Sequence, residues 1–229
     1  MSALPGLSVA PGLFETLERF PVVIGTATDQ FTGSGSHSID LPSGVQAGDL
    51  LILSLGHHRA DRPWSTPSGW TKIAESNIGS TSSGTRGAVF YRFATGSEGA
   101  TVSVTAGGDT AHGAAHVLCI RGAGTPYGAA ATGNTNTPYP PSLAPPLGAK
   151  PYLWLACMNN SPEHTLMAYP SGFEGGITHV GPNLGSTSVD DSRNSVAYMY
   201  AKTTGLDPDG FSLSNTAYWV AVTVAVPPA

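Results

Sequence analysis

The sequence predicts an all-β protein, an antiparallel β-sandwich of a jelly-roll-like kind. Gly (29) and Pro (19) make up 48 of the 229 residues and are scattered along the chain, so few stretches can hold a long helix. Segments with alternating apolar residues are separated by clusters of Gly, Ser, Thr, Asn and Pro, which is the pattern of strands and turns. These observations exclude helical bundles and coiled coils.

Charged residues are scarce. The 10 Lys and Arg and the 15 Asp and Glu make up 11% of the chain, for a net charge of −5, whereas soluble domains usually have about 25% charged residues. With 40% hydrophobic residues, the chain is too apolar for a disordered polymer. Because there is no basic cluster and no apolar run of about 20 residues, we expect neither a nucleic-acid partner nor membrane insertion. The first 20 residues also lack the basic start and continuous apolar stretch of a secretory signal.

Residues 1–21 differ from the rest and are predicted to form a short N-terminal arm. They hold one candidate helix, residues 13–20, between Pro11-Gly12 and Pro21. The arm has apolar side chains but is too short for a core of its own. We therefore expect it to dock on the main domain or on a neighbouring subunit. The candidate docking residues are Leu4, Leu7, Val9, Leu13, Phe14, Leu17 and Phe20.

Residues 22–229 are predicted to form the sandwich, with about ten to twelve strands. In Val220-Ala-Val-Thr-Val-Ala-Val226 every valine lies on one face, because side chains alternate along a strand. Two strands, at residues 50–53 and 152–155, are apolar on both faces, which favours a thick sandwich or subunit contacts. From this two-sided pattern we expect a homo-oligomer. Alternation predicts strands at residues 49–55, 89–93, 101–105, 114–120, 152–158, 195–201 and 220–226.

The order of these segments is repeated along the chain. We expect two halves, at about residues 22–121 and 149–229, related by approximate internal two-fold symmetry in a single sandwich, with two separate domains as the alternative. The uncharged segment 122–148 is predicted to be a linker over the surface. The segments at residues 47–56, 67–73, 88–95 and 100–104 correspond to those at 149–158, 170–177, 196–203 and 210–214.

No pattern in the sequence predicts catalysis, so we expect neither an enzyme nor a cofactor. A Gly-x-Ser-x-Gly elbow and a phosphate-binding loop are absent, and no Cys/His spacing resembles a zinc site. His57 and His58 follow a buried strand and precede a charged loop. We interpret them as part of a solvated polar loop, because adjacent residues of an extended chain point to opposite faces.

Two further groups of residues have structural interpretations. The carboxylates of Asp190-Asp191 and Asp207-Pro-Asp209 fit turns, with a calcium site as the alternative. Cys119 and Cys157 lie in apolar strands and are predicted to be buried free thiols, because a single pair gives no disulfide framework.

Aromatic residues in loops support a second functional hypothesis. Trp and Tyr combine an apolar ring with a polar group and suit binding surfaces, so Trp64, Tyr127 and Tyr139 are candidate contacts for a surface glycan, with Trp64 the strongest. Trp70 and Phe173 each follow a Pro-Ser-Gly turn, one in each half. Because both halves have an aromatic residue at this position, we interpret Trp70 and Phe173 as core anchors.

The turn and strand motifs resemble a diffuse family of tailed-bacteriophage virion proteins, whose members are tail, tail-fibre, head-spike or decoration proteins. The similarity is clearest over residues 36–125 and weaker in the second half. It implies a β-sandwich displayed in many copies on a virion, assembled in the bacterial host cytoplasm, with no catalytic residues. The motifs are Leu41-Pro-Ser-Gly-Val-Gln-Ala-Gly-Asp-Leu50, Pro67-Ser-Gly-Trp70, Phe90-Tyr-Arg-Phe-Ala94 and Cys119-Ile-Arg-Gly-Ala123.

The expected function is therefore that of a structural component on the capsid or tail surface of a phage virion, docked through its N-terminal arm. Its partners would be other capsid or tail subunits. The alternative is a carbohydrate-binding or host-receptor-binding module of a tail fibre, with a host surface glycan as its ligand.

Overall fold

The computed structural model describes residues 19–80, 83–108, 112–162, 164–180 and 191–229, and in these residues it contains β-strands, turns and loops but no helix. Every strand pair is antiparallel, so the predicted fold class, an all-β antiparallel sandwich, is confirmed. The strands are β1 (Val22–Phe31), β2 (Ser36–Asp40), β3 (Leu50–His57), β4 (Trp64–Ser65), β5 (Thr71–Gly79), β6 (Gly84–Phe93), β7 (Thr101–Ala106), β8 (Gly113–Arg121), β9 (Tyr127–Thr135), β10 (Lys150–Ser161), β11 (Leu166–Ala168), β12 (Glu174–Val180), β13 (Arg193–Thr203), β14 (Ser212–Leu213) and β15 (Ala217–Val226).

The strands form two five-stranded sheets and two smaller ones. Sheet 1 has the order β1-β8-β3-β6-β5 and sheet 2 the order β12-β13-β10-β15-β9. A three-stranded sheet, β2-β7-β4, and a two-stranded sheet, β11-β14, complete the architecture. Read from its other edge, sheet 2 is β9-β15-β10-β13-β12, so each half of the chain builds one five-stranded sheet with the same strand order. Exact two-fold symmetry and jelly-roll connectivity stay predictions.

Apolar side chains fill the spaces between four layers. The three-stranded sheet packs on the outer face of sheet 1 through residues such as Val104 and Leu53. The inner faces of sheets 1 and 2 meet in a second cluster, which includes Leu118 and Val222. Smaller clusters cover the outer face of sheet 2, around Trp154 and Phe211.

This layering explains the strands that are apolar on both faces. In β3, Leu51, Leu53 and Leu55 point to the three-stranded sheet, whereas Leu50 and Ile52 point to sheet 2. Both faces are covered within one chain, as expected for a thick sandwich. The two-sided pattern therefore no longer supports a homo-oligomer, and the oligomeric state stays a prediction without it.

The register of the two halves differs by one residue from the match of segments 47–56 and 149–158. Ile52 and Leu155 both face the space between the sheets, whereas Trp154 faces outward. Ile52 therefore corresponds to Leu155, and a slip of one residue would place each side chain on the wrong face of its sheet. The facing residues of β6 and β13 shift by one residue in the opposite direction, so that Val89 corresponds to Val196 and not to Ala197.

The linker prediction for residues 122–148 is only partly correct. Residues Tyr127–Thr135 form β9, which pairs with β15 along its whole length and closes one edge of sheet 2. Small residues are needed there, because a Cβ atom on Gly128 would lie 2.5 Å from Ile73 and one on Gly133 would lie 2.3 Å from Trp219. This run of Gly and Ala has no β-forming pattern of its own, which is why sequence alternation missed it.

A buried polar network joins the two five-stranded sheets at one end. Nδ1 of His116 in β8 donates to Oδ1 of Asn194 in β13 at 2.7 Å, and the hydroxyl of Ser54 donates to the same oxygen at 3.2 Å. Nearby, the amide of Asn159 lies 2.6 Å from the hydroxyl of Thr85. Polar groups buried in such an interface need partners in defined positions, so this network fixes how the sheets are aligned.

Candidate functional site

An open groove lies on the outer side of the first half, between the three-stranded sheet and the turn of residues 67–70. Its volume is about 390 Å³. It is lined by residues of the turn, by residues of β4 and β7, and by Glu98 and Gly99. This groove, called the 67–70 groove below, is within the range of about 300–1,000 Å³ that is typical of small-molecule sites.

β7 contributes hydroxyl groups to the groove because its side chains alternate between the core and the outside. Val102, Val104 and Ala106 point into the core, which directs Thr101, Ser103 and Thr105 outward. The Thr105 hydroxyl is bonded to that of Ser36 on the adjacent strand, at 2.8 Å. The remaining hydroxyl residues of the groove are Ser65, Thr66 and Ser68.

Two of the residues that line the groove form an ion pair. Nη2 of Arg92 lies 3.1 Å from Oε1 of Glu98. The guanidinium group lies over the turn, since a Cβ atom on Gly69 would be 3.6 Å from Cζ of Arg92. Arg92 and Glu98 are the charged residues that line the groove, so its walls have no net charge.

Glu98 is held in place by its own loop. Its carboxylate accepts hydrogen bonds from the backbone N–H groups of Thr95 (2.6 Å) and Gly96 (2.9 Å) and from the Thr95 hydroxyl (2.9 Å). Although burial raises the pKa of Glu98, these hydrogen bonds outweigh it and lower the pKa to about 2. The carboxylate is therefore ionised over the whole range in which the protein would be studied.

Trp70 lines the groove but is a core residue, with 7% of its surface exposed. Its backbone N–H donates to the carbonyl of Pro67 at 3.0 Å, and Gly69 adopts a φ of 78° that favours glycine. The prediction that Trp70 is a core anchor is confirmed.

The second half contains the same turn, but different side chains lie next to it. The N–H of Phe173 donates to the carbonyl of Pro170 at 3.1 Å, and Gly172 has a φ of 77°. Met199, which pairs with Trp154 as Arg92 pairs with Leu51, takes the position of the guanidinium. There it joins an apolar cluster with Phe173, Leu143 and Leu206. In the second half partly buried apolar side chains thus lie beside the turn, where Arg92 and the groove lie in the first half.

The expected exposure of Trp64 is wrong. Its side chain is 2% exposed and packs against Phe31 (ring centroids 5.6 Å apart) and His57 (4.8 Å). In the two-residue strand β4, Ser65 points outward, and Trp64 therefore points into the core. The alternation could not be recognised in a strand of only two residues.

The two tyrosine candidates do not meet at the groove. Tyr139 is 56% exposed, as expected of a surface contact, and lies beside Gly210 in the second half. Tyr127 is half-buried at the start of β9. Neither is among the residues that line the 67–70 groove.

The docking residues of the predicted arm can be placed only at its end. Leu4, Leu7, Val9, Leu13, Phe14 and Leu17 lie outside the described residues. Phe20 packs edge-on against Tyr200 of β13, with ring centroids 5.7 Å apart. At this residue the arm contacts the main domain of its own chain.

His57 and His58 are buried, so the prediction of a solvated loop is wrong. Nε2 of His57 donates to the carbonyl of Arg62 at 2.9 Å, and Nδ1 accepts from the N–H of Arg59 at 3.0 Å. Burial lowers the pKa of His57 to about 3. The loop folds back over the strand end, and its backbone groups are the hydrogen-bond partners of both ring nitrogens of His57.

Other groups that the sequence analysis considered do not form a site in the described part of the chain. There, no cluster of three or more His, Cys, Asp or Glu is placed to hold a metal ion. Asp207 and Asp209 are exposed, and Asp190 lies outside the described residues. Cys119 and Cys157 are free and buried, which confirms the prediction of free thiols.

The chain matches no family model, and no curated protein or solved structure matches it significantly. Among the described residues, no helix has the length and apolar character needed to cross a membrane. The functional argument therefore depends on the residues themselves. Sequence reasoning missed the groove, although the Thr101-Val-Ser-Val-Thr105 alternation indicates a strand with one hydroxyl face.

Proposed function

We propose that the protein is a structural component of a bacteriophage virion, displayed on the capsid or tail surface and docked through residues 1–21. The sequence resemblance over residues 36–125 is the basis of this proposal. The observation that carries it further is the four-layered architecture, in which the two five-stranded sheets share one apolar cluster between their inner faces. Such a continuous core suits a protein whose task is to stay folded on the outside of a particle.

The chemistry of the described residues is consistent with this role. Many polar side chains are used in packing: the imidazoles of His57 and His116 and the amides of Asn159 and Asn194 are buried and hydrogen-bonded. Asp49 is buried as well and forms a two-point ion pair with Arg121, at 2.8 Å for each contact. These groups stabilise loops and sheet contacts.

The experiment is the analysis of purified particles of the phage that encodes the chain. Mass spectrometry of gradient-purified particles is expected to find the protein in a fixed number of copies per particle, and electron cryomicroscopy is expected to find its paired sheets on the outer surface. Absence of the chain from purified particles would contradict the proposal.

The docking role of the arm is tested by deleting residues 1–20. We expect the truncated protein to fold, because the described core is formed by later residues, but to be lost from the particles. Incorporation of the truncated protein at full occupancy would contradict docking through the arm.

A further inference from the structure

We propose that the 67–70 groove binds a neutral saccharide. The site is formed by the hydroxyl face of β7, the hydroxyl residues of β4 and the adjoining turn, and the Arg92–Glu98 pair. This proposal concerns the purified chain and does not depend on a virion role. It assigns carbohydrate binding to residues other than Trp64, Tyr127 and Tyr139.

The comparison between the two halves is the first argument. Both halves contain a Pro-Ser-Gly-aromatic turn with the same hydrogen bond and the same glycine conformation. In the second half Met199 lies over the turn, with its terminal methyl group 4.0 Å from a Cβ atom placed on Gly172, and it packs with Leu143 and Leu206 against Trp154. In the first half Arg92 takes the position over the turn, and the groove beside it is lined by hydroxyl side chains together with Leu41, Pro67, Trp70 and Val102. Retention of a polar groove in one half therefore indicates a use beyond folding.

The chemistry of the walls indicates the class of ligand. Ser and Thr hydroxyls both donate and accept hydrogen bonds, as the hydroxyls of a sugar do. Five hydroxyl residues of the groove have exposed side chains: Ser65, Thr66, Ser68, Thr101 and Ser103.

The charge and polarity of the lining residues argue against an anionic ligand and against an apolar ligand. The cation among the lining residues, the guanidinium of Arg92, is neutralised by Glu98 at 3.1 Å, which disfavours an anionic ligand. An apolar ligand would leave the hydroxyl groups without partners, which costs about 1–3 kcal/mol for each buried group. A neutral ligand with several hydroxyl groups satisfies both conditions.

The Arg92–Glu98 pair gives the groove a fixed shape. Glu98 is anchored by Thr95 and Gly96, and it holds the guanidinium over Gly69. Because the ion pair holds the Arg92 side chain in one position at the groove, little side-chain entropy is lost when a ligand binds there.

The test uses the purified full chain on a printed array of neutral and acidic oligosaccharides. The neutral oligosaccharide with the strongest signal is then titrated by calorimetry. We expect the chain to bind neutral oligosaccharides, and we expect that acidic sugar residues do not strengthen the binding. Absence of binding to every neutral oligosaccharide on the array would overturn the proposal.

Matched variants locate the site. The double substitution Thr101→Val and Ser103→Val removes two hydroxyl groups from the exposed face of β7 and is expected to weaken binding at least about tenfold, equivalent to about 1.4 kcal/mol. The control is Thr26→Val with Thr28→Val, the same change on two exposed positions of β1, with unchanged binding. Equal weakening by the control pair would overturn the assignment.

Two further variants protect the test against a folding defect. Ser65→Ala with Ser68→Ala removes hydroxyl groups without adding a methyl group, and it is expected to weaken binding while the thermal unfolding midpoint stays the same. Arg92→Met copies the residue of the second half and is expected to weaken binding at least about tenfold. Unchanged affinity in both variants would contradict the site.

Discussion

Gly56 of β3 faces Asn159 of β10 across the interface of the two five-stranded sheets, and a Cβ atom on Gly56 would lie 1.8 Å from the side-chain amide of Asn159. The amide is buried and hydrogen-bonded to Thr85 at 2.6 Å, so it cannot move aside without losing that bond. The close approach of the two halves at this end therefore requires glycine at position 56.

The substitution Gly56→Ala is expected to lower the free energy of unfolding by about 1–3 kcal/mol, the usual cost of overpacking a core. Urea denaturation followed by tryptophan fluorescence measures the change. Gly99→Ala is the matched control, because a Cβ atom there meets nothing within 4 Å. Equal stability of the two variants would show that the halves are not in close contact at Gly56.

The two halves are expected to unfold as one unit. Residues 22–121 alone would expose the inner face of sheet 1, which includes Leu50, Ile52 and Leu118. Because burial of a Leu or Ile side chain contributes about 1.5–3 kcal/mol, the isolated half loses most of its margin of stability. Calorimetry should find one transition for the full chain and no cooperative transition for residues 22–121; a cooperative transition in the isolated half would contradict this.

Acid is expected to destabilise the fold through His57. Its pKa is about 3 in the folded protein against an ordinary value of 6.5, so the unfolded chain binds the extra proton first as the pH falls. The stabilising contribution is complete above about pH 6.5 and is lost as the pH falls towards 3. Each unit of pKa difference corresponds to about 1.36 kcal/mol.

The measurement is the free energy of unfolding between pH 7 and pH 4. His57→Gln, which removes the titrating ring, is expected to lower the stability at pH 7 and to flatten its dependence on pH. An equally steep dependence in the variant would mean that other groups, and not His57, bind the protons.

The two thiols are expected to be unreactive in the folded protein. Burial raises the pKa of Cys157 to about 12, and burial together with the carboxylate of Asp49 raises that of Cys119 to about 11. A thiol-reactive dye should label neither cysteine in native buffer and both in denaturant, because the thiolate is the reactive species. Rapid labelling in native buffer would contradict the burial of these strands.

Much of the fold can be predicted from local patterns. Val220 to Val226 alternates so regularly that β15 is evident, and the two Pro-Ser-Gly turns indicate Trp70 and Phe173 as inward positions. Local patterns fail where a residue is chosen for a neighbour far along the chain. The small residues of β9 fit against Ile73 and Trp219, and Gly56 fits against Asn159.

The candidate site was predicted less well, for a related reason. Trp64 stands in a polar context but is buried, because β4 pairs with β7 and directs it into the core. The hydroxyl residues of the 67–70 groove come from two separate segments, residues 65–68 and 101–105, and neither is distinctive alone. They form a site only because the three-stranded sheet places β4 and β7 side by side.

The sequence by itself determined the all-β class and the positions of the long alternating strands, because period-two alternation and Gly/Pro turns act over a few residues. Only the tertiary structure decided that each half forms its own five-stranded sheet and that the two sheets share one core. It also decided that Met199 joins an apolar cluster beside one turn, whereas Arg92 lines an open groove beside the other. Such choices depend on contacts between residues far apart in sequence, where the shape and polarity of both partners set the free energy.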